Sequence, residues 1–171
     1  MRLNDPLATS FIYDNKKYKI DLSFDNVIDV FDVIEDKTLR DYEKIDIALE
    51  MLLFEPITHN KEGLWEYIYE NHIASKREQV IEYDLQGNPI PIIEEEESDE
   101  IPISFDKDAP HIYASFRQAY GINLINEQGK MHWEEFKALL FALPEDTMIK
   151  KIIHIRTWQP TKGDSPEYTE Q

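Results

Sequence analysis

Between Glu82 and Asp108 the chain carries ten carboxylates and one lysine, interrupted by Pro89, Pro91 and Pro102. Such a stretch cannot line an apolar core, and its prolines, which lack a backbone N–H, stop any helix entering it. Folding must therefore take place on either side of it. Both sides carry apolar residues three and four apart, the mark of amphipathic helices. The segment also accounts for −9 of the net −17, so the flanking parts are only moderately acidic. A field of this sign repels phosphate backbones and anionic lipid, which argues against general nucleic-acid or membrane-surface binding.

The expected fold is mainly α: one helical domain over residues 1–158, with a short N-terminal β-hairpin. An acidic loop joins its two helical halves. The halves are placed at about 1–82 and 106–158, the acidic linker at 83–105, and a polar, disordered tail at 159–171. Residues 11–21 alternate as a hairpin does, with Asp14-Asn15-Lys16 at the turn. Ser23 is placed as an N-cap ahead of Phe24, Val27, Ile28, Phe31 and Ile34. Thr38 is read as the cap of a second helix with the stripe Tyr42, Ile45, Leu49, Leu52 and Leu53, stopped by Pro56. Asn60 opens a third, with Leu64, Trp65, Ile68, Tyr69 and Ile73. Gly87-Asn88-Pro89 signals a turn within the linker, and Ile90 to Ile93 leave room for a short strand.

In the second half Asp108 and Pro110 start a helix bearing Ile112, Tyr113, Phe116 and Tyr120, and Gly121 ends it. Met131 to Leu143 reads as another helix. Pro144 is taken to open the last one, whose stripe is Ile149, Ile152 and Ile153, with Lys150, Lys151 and Arg156 toward its C-terminus.

The residues offer little for catalysis. The chain has no cysteine, so disulfides, thiolate metal sites and cysteine nucleophiles are excluded. His59, His72, His111, His132 and His154 show no metal-ligand spacing, and His132-Trp133-Glu134-Glu135 reads as packing or capping. No phosphate-cradling glycine loop and no nucleophile elbow occurs. Glu94, Glu95, Glu96 and Glu97 lie in a polar run with nothing to bury them and split their pKa values. The expectation is a non-enzymatic protein without metal or cofactor. No apolar run approaches the ~20 residues of a membrane span, and MRLNDPLATS lacks a signal-peptide apolar region. The expected location is cytoplasmic.

Two stretches are more specific: HIYASFRQAYGINL, His111 to Leu124, and MHWEEFKALLFALPEDTMIKKIIHIR, Met131 to Arg156. Together with the looser pattern SFDNVIDVFDVIEDKTLRDYEKIDIALEMLLF, they resemble the tail assembly chaperones of long-tailed (siphovirus-type) phages and prophages of Gram-positive bacteria, encoded upstream of the tape measure protein. The resemblance runs from about Phe11 to Arg156. It rests on the turn Tyr120-Gly121-Ile122, on His132-Trp133 before a helix, and on the helix start Leu143-Pro144-Glu145-Asp146-Thr147. Asn123 stands where the pattern has Asp, and Glu134 where it often has a second aromatic.

The resemblance implies a protein that coats the tape measure chain, helps recruit tail tube protein, acts in the host bacterial cytoplasm and is absent from the mature virion. It leaves open whether an upstream chaperone product is a partner, whether the chain acts alone or as a frameshift fusion, and whether it forms a homo-oligomer. Candidate partner-facing residues are Trp65, Tyr69, Trp133, Trp158 and the acids Glu94 to Glu97, with a core role the alternative for the aromatics. Two other readings compete: a structural head–tail connector or tail component of the virion, and an acidic decoy for a DNA-binding protein.

Overall fold

The computed structural model describes residues 4–74 and 103–158, which form a mainly α-helical structure behind an N-terminal two-stranded hairpin. The described residues group into two compact units: residues 4–74 with 125–139, and residues 103–124 with 140–158. The acidic run from Glu94 to Glu97, the strand reading for Ile90 to Ile93 and the tail 159–171 lie outside the described residues.

The first unit opens with β1 (Ser10–Tyr13) and β2 (Lys16–Lys19), antiparallel with Phe11 opposite Tyr18. Asp14 and Asn15 join them, both at positive φ, as a two-residue hairpin turn of the primed type requires. Asn15 and Asp14 tolerate that region because their short polar side chains relieve its strain. Ile20 pairs with Leu53 and the Asp21 N–H reaches the Leu52 carbonyl at 2.8 Å, so the strand runs on into a contact with the second helix.

Helix α1 (Phe24–Glu35) buries Phe24, Val27 and Val30, and α2 (Asp41–Leu52) buries Ala48, Leu49 and Leu52 against it. Asn26 straps the two, donating its amide to the carbonyls of Asp21 at 3.1 Å and Met51 at 3.0 Å. Neither expected cap forms through its hydroxyl. Ser23 occupies the N-cap position of α1, but its backbone bridges to His132 instead: the Phe24 N–H donates to the Met131 carbonyl at 3.0 Å, and the Trp133 N–H to Leu22 at 2.7 Å. Thr38 turns back to the Asp36 carboxylate at 2.7 Å. The start of α2 is closed one residue before the helix, where the Arg40 N–H donates to the Glu43 carboxylate at 2.9 Å.

Helix α3 (Lys61–Ile68) widens into a π-turn over Tyr69–Ile73, closed by the Ala74 N–H on the Tyr69 carbonyl at 2.7 Å. A Cβ on Gly63 would lie 2.8 Å from the Asn60 amide oxygen and 2.9 Å from the Tyr13 hydroxyl, two groups that meet beside it. Glycine at this helical position therefore lets the hairpin tip approach. Helix α5 (Trp133–Phe141), whose residues up to Leu139 belong to the first unit, stacks Phe136 on Phe24 at 4.9 Å between ring centres. It starts later than expected because Met131 and His132 are held in the bridge to Ser23.

In the second unit α4 (Ala109–Tyr120) and α6 (Met148–Thr157) pack together. They run antiparallel: Asp108, at the start of α4, grips Arg156, at the end of α6, through two hydrogen bonds of 2.6 and 2.8 Å. Asp108 does not cap α4 with its side chain; it is buried and also accepts the Ser104 N–H at 2.9 Å. Gly121 closes α4 at φ 70°, as expected. Pro144 does not open α6. The chain from Pro144 to Thr147 forms a turn, in which the Thr147 hydroxyl donates to the Pro144 carbonyl at 2.6 Å, and the helix begins at Met148.

Because the Thr147 hydroxyl is engaged there, the first-turn N–H of Ile149 is capped from a neighbouring helix, by the Ser115 hydroxyl at 3.2 Å. Ser115 and Ile149 are both fully buried. Ser115→Ala should therefore leave a buried donor unmet and lower the stability of this unit by about 1–3 kcal/mol in urea denaturation. The pH response follows from Asp108, whose carboxyl is held below its usual value chiefly by the Arg156 hydrogen bonds. Its contribution is full above roughly pH 4, the unfolded value, and is lost as the pH falls from there through the depressed folded value. Melting of Asp108→Asn should be lower than wild type at neutral pH and flatter on acidification.

Candidate partner-binding surface

Two aromatics singled out from the sequence are brought together in the first unit. Trp65 and Tyr69, one turn apart on α3 and its π-turn, lie with ring centres 5.7 Å apart. Trp65 is half-buried and Tyr69 is 40% exposed, so the pair presents aromatic surface to solvent. A shallow groove of about 250 Å³ lies where α2 and α3 meet, lined by Tyr42, Ile45, Asp46, Asn60, Lys61 and Glu62. Lys61 and Asp46 pair across it at 2.7 Å. Tyr42, expected in the core stripe, is exposed instead: it sits in the first turn of α2, where the Arg40 guanidinium donates to its hydroxyl at 3.2 Å.

Trp133 has a different setting. It is 4% exposed, and its indole N–H donates to the Ile73 carbonyl at 2.9 Å. The Lys137 ammonium donates to the same carbonyl at 3.1 Å, its pKa lowered by burial. A helix end leaves carbonyls without intrahelical partners. The end of the π-turn is satisfied here by two side chains of α5, and Trp133 is thereby part of the core.

His132 is a cap. Its Nδ1 accepts the Glu134 N–H at 3.1 Å, which leaves Nε2 to carry the proton and donate to the Ala8 carbonyl, also at 3.1 Å. His72 packs between Phe11 and Tyr67, where burial pushes its pKa down and Nε2 has no hydrogen-bond partner among the described residues. Among the described residues no group of three or more His, Asp or Glu is arranged to hold a metal ion, and no helix is long and apolar enough to cross a membrane.

In the second unit Trp158 follows the end of α6 and is 44% exposed. Phe141, Met148 and Ile155 are also exposed there, and the sequence reading missed all three. The signal was present: Met148 and Ile155 lie seven apart, out of phase with the buried Ile149 and the half-buried Ile153, so α6 is apolar on more than one face.

The helical units, their caps and their surface aromatics lie within a single match: residues 3–171 fit the family model described as Bacteriophage Gp15 protein. The chain belongs to this bacteriophage protein family. No curated protein and no solved structure matches it. For this Gp15-family chain the two tryptophans at opposite extremes of burial should separate stability from surface function. Trp133→Ala should cost about 3–5 kcal/mol of unfolding free energy. Trp158→Ala should change it by only about 0.5 kcal/mol or less. Chemical denaturation of both variants, followed by circular dichroism, measures the difference.

Proposed function

We propose that this phage protein is a non-enzymatic tail assembly chaperone that binds the tape measure protein and helps recruit tail tube subunits. It acts in the host cytoplasm and leaves before the virion is complete. The observation that carries this reading is the tilted Trp65–Tyr69 ring pair, standing at the surface of a helix whose opposite side, Leu64 and Ile68, already fills the core. A helix of that kind offers a partner apolar area with a polar surround, the usual basis for reversible recognition of helical segments. Membership of a bacteriophage family supports the setting. The resemblance of Met131 to Arg156 to tail chaperones supports the task. The net charge of −17 supports it too, by keeping a complex with a long, helix-rich partner soluble.

Co-expression with the tape measure protein of the same phage, followed by pull-down and size-exclusion chromatography, tests the reading. A soluble co-eluting complex is expected, with the tape measure chain insoluble when expressed alone. Purified particles should lack the protein by mass spectrometry, whereas lysates of infected cells should contain it. Its presence in particles at a fixed stoichiometry, without a tape measure complex, would instead make it a structural virion component.

A further inference from the structure

Helix α6 has two uses for its apolar residues. Ile149 is fully buried and Ile153 half-buried, on the side held to α4 by Ser115 and by Asp108 with Arg156. Met148, Ile152 and Ile155 follow at intervals of four and three, and so share another face. On that face Met148 is 49% and Ile155 74% exposed, with Ile152 half-buried between them and Trp158 continuing past the helix end. These residues form a row along one element, which isolated exposed apolar side chains do not.

The charge of the helix is as unusual as its apolar row. From Met148 to Thr157 it holds Lys150, Lys151 and Arg156 and no carboxylate, in a chain of net −17. Arg156 is engaged by Asp108 at 2.6 Å. Lys150 donates to the Phe141 carbonyl at 2.9 Å and lies 3.9 Å from Glu145. Lys151 is exposed and falls in the sector of Met148 and Ile155, being three residues from one and four from the other.

We propose that this face of α6 docks the apolar side of an amphipathic helix from another protein, with a carboxylate of that helix set against Lys151. A second copy of this chain fits poorly. A two-fold pairing through α6 would place Lys151 near its own copy and bring two strongly acidic molecules together. A ten-residue helix is about 15 Å long, and it covers less than the roughly 800 Å² per partner of a standard interface. The contact is therefore weak and quickly reversible, in the micromolar range. The proposal deepens the chaperone reading by giving one face and one charge pattern to the partner helix. Its test omits the tape measure protein, so the two fail separately.

The full-length chain, isotope-labelled for NMR, is titrated at about 0.15 M salt, where charges act over about 8 Å. The probes are two synthetic helical peptides with the same leucine stripe, one flanked by glutamates and the other by lysines. The glutamate peptide should shift the resonances of Met148, Lys151, Ile155 and Trp158 and saturate at micromolar concentration. Ile155→Asp should weaken it at least about tenfold with an unchanged melting temperature, and Met148→Asp should do the same. Lys151→Glu should reverse the preference toward the lysine peptide. The proposal is overturned if the glutamate peptide shifts none of these residues, or if Lys151→Glu leaves the preference unaltered. It is equally overturned if sedimentation finds a wild-type dimer that Ile155→Asp converts to monomer, since a second copy would then occupy the face.

Discussion

Two backbone hydrogen bonds around Ser23 and His132 organise the first unit. The Phe24 N–H reaches the Met131 carbonyl and the Trp133 N–H reaches Leu22, joining positions more than a hundred residues apart. Each bond meets a donor near a helix start, so the pair closes α1 and α5 at once. With that clasp in place Phe136 can stack on Phe24, and the Trp133 indole can reach the Ile73 carbonyl. The closure of a loop this long carries an entropic cost that grows only slowly with its length. The acidic segment between the two ends can therefore be long without much added cost to stability.

A similar solution recurs at several other helix ends. An α-helix leaves its first N–H groups and last carbonyls without intrahelical partners. In this chain those groups are met by side chains from other elements as well as by the adjacent residues. Ser115 of α4 serves the start of α6, Trp133 and Lys137 of α5 serve the end of the π-turn, and His132 serves the start of α5. Helices capped in this way depend on their neighbours, so each cap is also a tertiary contact. The outward faces keep apolar groups at the surface, with Tyr69 on the π-turn beside the half-buried Trp65 of α3, and Met148 and Ile155 on α6.

For a phage protein proposed to escort a long helical partner, surface apolar groups on rigid helices suit the work. They recognise the general form of an amphipathic helix more than a particular sequence, and they do so with areas small enough to let go. An acidic surround then supplies solubility and discourages self-association.

The periodicity of the chain was enough to show the element types. Apolar residues three and four apart declared α1 to α5, the glycine at 121 declared the end of α4, and Asp14-Asn15 declared the hairpin turn, because each of these follows from local geometry. The burial of the candidate aromatics was not legible in the sequence: Tyr69 and Trp158 are exposed, Trp65 is half-buried and Trp133 is buried. An aromatic beside a helix start has the same local pattern in either case, and its fate depends on whether a distant carbonyl such as that of Ile73 needs a donor. Ser23 and Asp108 hold the N-cap positions expected of them but do not bond the helix through their side chains, and Thr38 lies two residues ahead of the N-cap of α2. All three have the right chemistry to cap the helix that follows, but the Ser23 backbone bridges to His132, Thr38 turns back to Asp36 two residues before it, and the Asp108 carboxylate is taken by Arg156. Hydrogen-bonding groups of equal local merit are assigned by which partner the fold brings near. The sequence by itself determined the helices and the turn, and only the tertiary structure decided which groups close them and which faces remain open.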